Sequence, residues 1–401
     1  MPARRVSLIW QSNPTLCAPA RYRKACRYEA YIPAHLTELQ LSLMVGTVGV
    51  VSDAENAIRE LNASAQPALS PLARLLLRTE SIASSKVEGL QVGVRELARA
   101  EVRIETGQTV GPTVLDVLAN VDAMQLAVDA ATEVDVFTTD QITAIHDRLL
   151  GSVPNAGRVA GKIRDTQNWI GGNAYNPCGA DFTPPPPEYV GPLLDDLCAA
   201  INDETLPPLV QAAIVHAQFE TIHPFEDGNG RTGRALVQVV LRRRGLAPDY
   251  VPPISVVLAN ARDRYIAGLT AFRDDRIEEW VEHFAAAAAG AAKLAESHLH
   301  SVRDLVTYWR ACLKKLPNAP RADAAAWAIL DVLPAHPMLT APVAAAATGR
   351  AKTAVYGAIR QLEAAGVLIP LSTSPRNQSW EAVGLLDLLA DLEEGRAPSR
   401  K

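Results

Sequence analysis

His223-Pro224-Phe225-Glu226-Asp227-Gly228-Asn229-Gly230-Arg231-Thr232-Gly233-Arg234 is the stretch on which the reading of this chain turns. Just before it, residues 208–222 carry Val210, Ala213, Ile214, Ala217 and Phe219 and read as an apolar helix ending near Ile222. Just after it, RTGRALVQVVLRR returns to helical spacing, so a second helix is expected to start near Asn229 or Gly230. Gly228 and Gly230 let the backbone turn tightly and come close to a ligand. The second helix then points its first N–H groups and its positive dipole end into the loop, which makes an anion site. Arg231 and Arg234 add guanidinium forks that suit phosphate oxygens. Asp227 suits a divalent cation on those oxygens, since magnesium takes one or two carboxylates plus phosphate and water. His223 stands at the mouth, where a base takes a proton from an incoming hydroxyl. Base, cation ligand and anion cradle in one short run describe a phosphoryl- or nucleotidyl-transfer site. A P-loop does not fit, because the chain has no G-x-x-x-x-G-K-[ST] run and no strand precedes the loop.

Further out, residues 33–103, 113–150, 187–203 and 254–301 read as helices. Ser70-Pro71 marks one helix start, and Gly89 is suited to end the helix that carries Glu88. Residues 151–187 are dense in Gly, Pro and Asn. Within them GKIRDTQNWIGG reads as a short exposed hairpin, and Pro184–Pro187 as a stiff extended connector. Residues 1–30, with Arg4, Arg5, Arg21, Arg23, Lys24 and Arg27, read as a solvated basic arm.

Composition agrees with a mainly α chain. Of its 401 residues 48% are hydrophobic, yet only 5% are aromatic, so the core is built from Ala, Leu, Val and Ile. A net charge of −5 gives no overall field toward nucleic acid or anionic membrane. The five cysteines, Cys17, Cys26, Cys178, Cys198 and Cys312, are scattered and form no C-x-x-C pair, so neither a disulfide framework nor a zinc site is expected. That usage, with no signal-peptide core at the start and no apolar run of spanning length, predicts a cytoplasmic protein without a membrane segment.

The string His223–Arg234 resembles the signature of the Fic proteins, HPFx-[Asp/Glu]-GNGRxxR, at every specified position. At roughly one in twenty per position, chance agreement over such a run is negligible. The preceding HAQFETI resembles the helix that leads into the family's signature, and weaker resemblance extends from about Tyr31 to Arg273. The resemblance implies a Fic-type helical bundle with a β-hairpin flap, and an enzyme that uses ATP and Mg²⁺ to attach AMP to a Ser, Thr or Tyr hydroxyl of a protein, or of itself. By the same resemblance His223 would be the general base and Asp227 the magnesium ligand. Gly228, Asn229, Gly230, Arg231, Thr232, Gly233 and Arg234 would hold the triphosphate, with the Asn229 side chain among the phosphate contacts. Phe225 would anchor the loop, and Tyr265 would lie near the adenine. Ile163, Arg164, Asp165, Thr166, Gln167, Asn168, Trp169 and Ile170 resemble the flap that docks the target chain as an added strand.

Ser84-Ser85-Lys86-Val87-Glu88-Gly89 resembles the family's inhibitory motif [Ser/Thr]-x-x-x-Glu-[Gly/Asn]. It implies that Ser84, Glu88 and Gly89 form a built-in inhibitor, with Glu88 taking the place of the γ-phosphate on Arg234.

Residues 322–385 read as helix, helix, turn, helix and two short strands, which fits a winged helix-turn-helix. The expected layout is therefore an N-terminal helical region over 1–110 with the inhibitory helix near 70–90, a catalytic core over 111–300, a linker over 301–320, a winged-helix domain over 321–390 and a tail over 391–401. In the winged-helix part Arg321, Arg350, Lys352, Arg360 and Arg376 are nearly balanced by Asp323, Asp331, Glu363 and Glu381. That is a weak electrostatic footprint for DNA. A nucleotide-sensing DNA-binding regulator and an enzyme that removes AMP or transfers another phosphate-containing group stay open as alternatives. A homodimer is a further expectation from the family.

Overall fold

A computed structural model of the chain describes residues 3–63, 70–151, 153, 156–371 and 378–398. The centre of the expected wing, residues 372–377, and the end of the tail, residues 399–401, lie outside the described residues. The chain is mainly helical, with a two-stranded and a three-stranded sheet among the described residues. It divides into two compact units. One comprises Met1–Ser52, Asp122–Leu246 and Asp263–Ala285, and the other Asp53–Val121, Ala247–Arg262 and Ala286–Lys401. Helices α1 (Val45–Ala63) and α4 (Pro112–Glu133) contribute residues to both.

The first unit is built around α7 (Pro208–Ile222), which packs against α6 (Pro187–Asn202) and α8 (Asn229–Arg243). Every residue from Leu209 to Ile222 is buried, polar Gln211, His216, Gln218, Glu220 and Thr221 included, as expected of a helix enclosed on all sides. Pro208 opens α7 and Pro187 opens α6, each at a first-turn position where a missing N–H costs nothing. Pro187 is thus the start of a helix and not the end of a connector. Helix α5 (Thr139–Leu150) begins with a capping box, Thr138 and Gln141 each bonding the other's backbone.

The N-terminal segment is not a loose arm. Strands β1 (Arg4–Trp10) and β2 (Cys26–Ile32) form an antiparallel pair, in register from Arg4↔Ile32 to Trp10↔Cys26. Its alternating Arg-Arg-Val-Ser-Leu-Ile-Trp pattern has the strand period of two, which the density of basic residues obscures. Tertiary contacts then fix it. Trp10 meets Trp169 edge-on at 5.7 Å, Tyr22 stacks on Tyr175 at 5.2 Å, and the Tyr31 N–H donates to the Thr183 carbonyl. Cys26 and Cys178 are joined as a disulfide with Cα atoms 6.3 Å apart. This corrects the expectation that no cysteines pair, since 152 residues separate the two and spacing carries no trace of the contact.

The second unit contains α2 (Ser70–Val87), α3 (Val94–Glu105) and α9 (Ile254–Asn260). Glu80 accepts from the Ser255 N–H and hydroxyl at 2.8 and 2.6 Å, and Asn120 donates to the Ser81 carbonyl and Ser85 hydroxyl. Helix α11 (Ile277–Lys314), whose residues from Ala286 on belong to this unit, runs on into the expected linker as far as Lys314, because Val302, Trp309 and Leu313 keep a buried stripe at helical spacing. Its His298 is buried, with Nδ1 bonded to the Leu294 carbonyl. Burial holds its pKa below the ordinary value, against the raising effects of Leu294 and Asp391. The unfolded chain therefore binds more protons as pH falls through about 6.5, and stability is lost on the acid side. The stability advantage of wild type over His298→Gln should accordingly shrink between pH 7.5 and pH 5, read from urea midpoints. A pH-independent difference would refute it.

The C-terminal part runs α12 (Ala325–Val332), β3 (Met338–Thr340), α13 (Ala341–Thr348), α14 (Lys352–Ala364), β4 (Leu368–Pro370), β5 (Ser379–Ala382) and α15 (Leu385–Glu393). Its strands are antiparallel in the order β3-β5-β4. The sequence reading missed β3 and α15, so Asp391–Glu393 of the expected tail belong to a helix. Leu385, Leu386, Leu388, Leu389 and Leu392 bury its apolar face. Glu393 accepts from the Val94 N–H at the start of α3, and Arg95 pairs with Glu381 and Asp387.

Candidate active site

The loop between α7 and α8 is held from several sides within the first unit. His223 caps α7 in the left-handed conformation, φ 49° and ψ 60°, with its N–H donated to the Phe219 carbonyl. Such a backbone costs a non-glycine residue on the order of 1–3 kcal/mol and persists only where its surroundings impose it. Gly228, at φ 77°, opens α8. A Cβ there would meet Leu149 at 3.1 Å and the His146 ring at 3.3 Å, so both conformation and space demand glycine.

His146 is a part of the site that the sequence reading did not single out. Its ring lies flat on Phe225 with centroids 3.7 Å apart. Its Nδ1 accepts the Gly161 N–H at 2.9 Å, which leaves Nε2 to donate to the Asp227 carbonyl at 2.9 Å. Burial lowers its pKa, so the neutral ring that this arrangement needs is favoured. A lone histidine in ITAIHDRLL carries no signal of that role, because its partners are 15 and 81 residues away.

Asp227 presents its carboxylate outward, with 70% of the side chain exposed. Its Oδ1 accepts the Gly228 N–H at 2.7 Å and lies 3.9 Å from the Arg231 guanidinium. Asn229 is buried, and its side chain closes the loop on itself: Oδ1 accepts the Phe225 N–H and Nδ2 donates to the Phe225 carbonyl. These two bonds hold the loop closed and use one of the two Nδ2 hydrogens. Phe225 is fully buried, as its expected anchoring role requires. Arg231 and Arg234 lie on the first turns of α8, one turn apart, and both are buried.

Residues 136–241 match the Fic/DOC family model, and residues 48–129 match the Fic/DOC family N-terminal model. These segments belong to the Fic/DOC family. Among similar proteins, protein adenylyltransferase fic-1 of Caenorhabditis elegans is 41% identical over 124 residues, which is 30% of this chain and 22% of that one. A probable protein adenylyltransferase of Aquifex aeolicus is 30% identical over 200 residues, which is 48% of this chain and 54% of that one. The chain thus matches between about a fifth and about a half of the length of these relatives. A crystal structure of a Fic family protein from Desulfovibrio desulfuricans superposes with a TM-score of 0.53 at 21% identity, covering 86% of this chain and 98% of the other, and shares its fold.

Within the Fic segment, Gly233 and Thr232 face inward. Thr232 is fully buried. A Cβ on Gly233 would lie 2.8 Å from Glu220, 2.9 Å from Phe219 and 3.2 Å from His216, so this glycine lets α8 approach α7. Gly233→Ala is expected to cost about 1–3 kcal/mol by overpacking, read as a lowered urea midpoint with unchanged slope. An unchanged midpoint would contradict the packing role.

Tyr265, on α10 (Arg262–Arg273), is 4% exposed, its hydroxyl bonded to His216 Nε2 at 2.8 Å and its ring near Trp280. It is a core residue here, and the neighbouring Ile266 is the exposed one.

The segment that resembles a flap differs from the expected hairpin. Ile170 bridges Phe182, so the segment pairs with residues beyond GKIRDTQNWIGG and not within it. Asp165 and Thr166 are exposed, Ile163, Gln167, Asn168, Trp169 and Ile170 are half-buried, and Arg164 is buried. Arg164 therefore faces the protein and not a docked chain.

In the second unit, Ser84 is buried within α2, and Gly89 ends that helix at φ 85°. Glu88 is exposed in the turn between them, where the Glu88 and Leu90 N–H groups both bond the Ser85 carbonyl. Arg262 Nε donates to the Val87 carbonyl at 3.0 Å and fixes the helix end. Gly89 was expected at this helix end, for the reason seen here: only a residue at ease with positive φ closes it cheaply.

Proposed function

We propose that this chain is a protein adenylyltransferase that moves AMP from ATP to a Ser, Thr or Tyr hydroxyl of a target protein or of itself. The observation that carries the reading is the left-handed His223 held at the mouth of α8, with Asp227 exposed beside it and Arg231 and Arg234 on the first turns of that helix. The names of the matched relatives support the same chemistry.

In this reading His223 takes the proton of the target hydroxyl. The oxygen bonds to the α-phosphorus of ATP, the bond from that phosphorus to the bridging oxygen breaks, and pyrophosphate leaves. The product is a phosphodiester between AMP and the target. Backbone N–H groups of residues 229 and 230, at the positive end of α8, would face the charge that builds on the phosphates, beside the Gly228 N–H that Asp227 holds. Arg231 serves the β-phosphate side and Arg234 the γ-phosphate.

Asp227 would hold magnesium, which would supply positive charge against the phosphates. The residues fit it: a single outward carboxylate stands beside the helix start. No cluster of three or more His, Cys, Asp or Glu among the described residues is arranged to hold a metal alone, so an ion here draws its other ligands from phosphate and water.

Glu88 is proposed as the inhibitor. Its carboxylate would compete with the γ-phosphate for Arg234 and leave the α-phosphate misaligned for attack. The pattern around it and its exposure at the end of α2 support this reading. Intact mass spectrometry of Glu88→Gly incubated with ATP and Mg²⁺ tests the activity. Mass gains of one AMP per site support it, and a different adduct or none under every nucleotide tried would overturn it.

A second reading, a DNA-binding regulator, is favoured by one observation. Helix α14 exposes Lys352, Tyr356 and Arg360, and the sheet order β3-β5-β4 beside it suits a winged helix. A salt-dependent shift of duplex DNA would support it.

A further inference from the structure

The carbonyls of the turn that carries His223 are taken, one after another, by two residues of the flap. The Ile222 carbonyl accepts from Arg164 Nη2 at 3.3 Å. The His223 carbonyl accepts from Arg164 Nε at 2.8 Å and from Asn168 Nδ2 at 3.1 Å. The Pro224 carbonyl accepts the backbone N–H of Arg164 at 2.9 Å. The Phe225 carbonyl accepts from Asn168 Nδ2 at 2.9 Å. The rest of the Arg164 guanidinium reaches the Thr166 and Pro185 carbonyls. Arg164 is 4% exposed, and burial pulls its pKa down to about 10. No carboxylate lies within ion-pair distance among its described contacts, so this buried cation is spent entirely on backbone oxygens.

Two physical points follow. A left-handed histidine is not the conformation the chain prefers, and its carbonyl is turned out of the α7 ladder. Donors placed on that carbonyl and on its neighbours favour this turn over the alternatives. Second, the donors come from residues 164–168, which lead directly into Trp169 and Ile170. The strand that would receive a target chain and the turn that carries the base are therefore one hydrogen-bonded body.

We infer that Arg164 and Asn168 are positioning residues: they fix the backbone of His223, and through it the imidazole, relative to a hydroxyl docked along the flap. The inference rests on the adenylyltransferase reading. It also reassigns two of the expected target-docking residues, because their side chains point at the catalytic turn and leave target contact to the others.

Asn168→Ala removes both donors, and Asn168→Asp keeps the size but sets a carboxylate oxygen against the two carbonyls. Arg164→Lys keeps the charge but offers one nitrogen where the guanidinium offers three. In the full chain carrying Glu88→Gly, each is expected to lower kcat for AMP incorporation by about tenfold or more, since misplacement by 1 Å can cost on the order of 10²-fold. ATP affinity, read by calorimetry with Mg²⁺, should stay within about threefold, and thermal unfolding should stay cooperative. A merely structural role would move affinity and melting along with kcat. A second readout does not depend on activity: the rate at which diethyl pyrocarbonate modifies His223, followed by peptide mass mapping, should change by about threefold or more in the Asn168 variants. Unchanged kcat with unchanged His223 reactivity would overturn the inference, as would a parallel loss of ATP affinity and folding. If the Glu88→Gly parent incorporates no AMP, the adenylyltransferase reading fails, and the His223 reactivity still decides whether Asn168 positions that residue.

Discussion

Replacing His223 by alanine in a Glu88→Gly chain is expected to cut AMP incorporation by a factor on the order of 10²–10⁴, the range for loss of a positioned general base. The expectation follows from where the residue sits. His223 is the last residue before the loop that leads to α8, and its backbone is held left-handed by the Phe219 carbonyl behind and by Arg164 and Asn168 beside it. An alanine there keeps the N–H that caps α7, so ATP affinity should change little while transfer is lost. Labelled-ATP incorporation at saturating ATP, set against calorimetric ATP binding, separates the two. Transfer within a few-fold of the parent would remove His223 from the role of base and leave it as a helix cap.

Glu88→Gly is expected to act in the other direction, raising incorporation by about tenfold or more, equivalent to about 1.4 kcal/mol or more off the barrier. Glu88 is exposed in a turn whose backbone is already closed by Ser85, Lys86 and Gly89. Its replacement should therefore leave the backbone of this turn closed and unfolding cooperative. A rise in transfer with a cooperative fold retained marks loss of an inhibitor. Equal transfer by the two chains would leave Glu88 as an ordinary surface carboxylate. Because the substitution removes a charge, Glu88→Gln is a useful companion: it keeps the shape, and it should activate too if charge competition with the γ-phosphate is the mechanism.

Much of the site was legible in order along the chain. The apolar run 208–222 gave α7, the return of helical spacing after Gly228 gave α8, and Gly89 gave the end of α2, because each depends on residues a few positions apart. The roles of Asn229 and Arg164 were not legible in the same way. That Asn229 also closes the loop on the backbone of Phe225 shows only in the folded chain. Arg164 looks like a surface residue of a flap until the fold brings Ile222–Phe225 against it.

By itself the sequence determined the helix–loop–helix frame, the titratable and cationic groups placed on it, and the family to which those groups belong, since local periodicity and a contiguous motif need no tertiary information. The tertiary structure alone decided that residues 4–10 and 26–32 pair as strands, that Cys26 meets Cys178, that α11 runs into the expected linker as far as Lys314, and that His146, Arg164 and Asn168 bond the loop that carries His223 and Asp227. Each of these rests on contacts between residues far apart in the chain, or on which face of a helix is covered. A buried donor shows its purpose only when the carbonyl it serves has been brought to it.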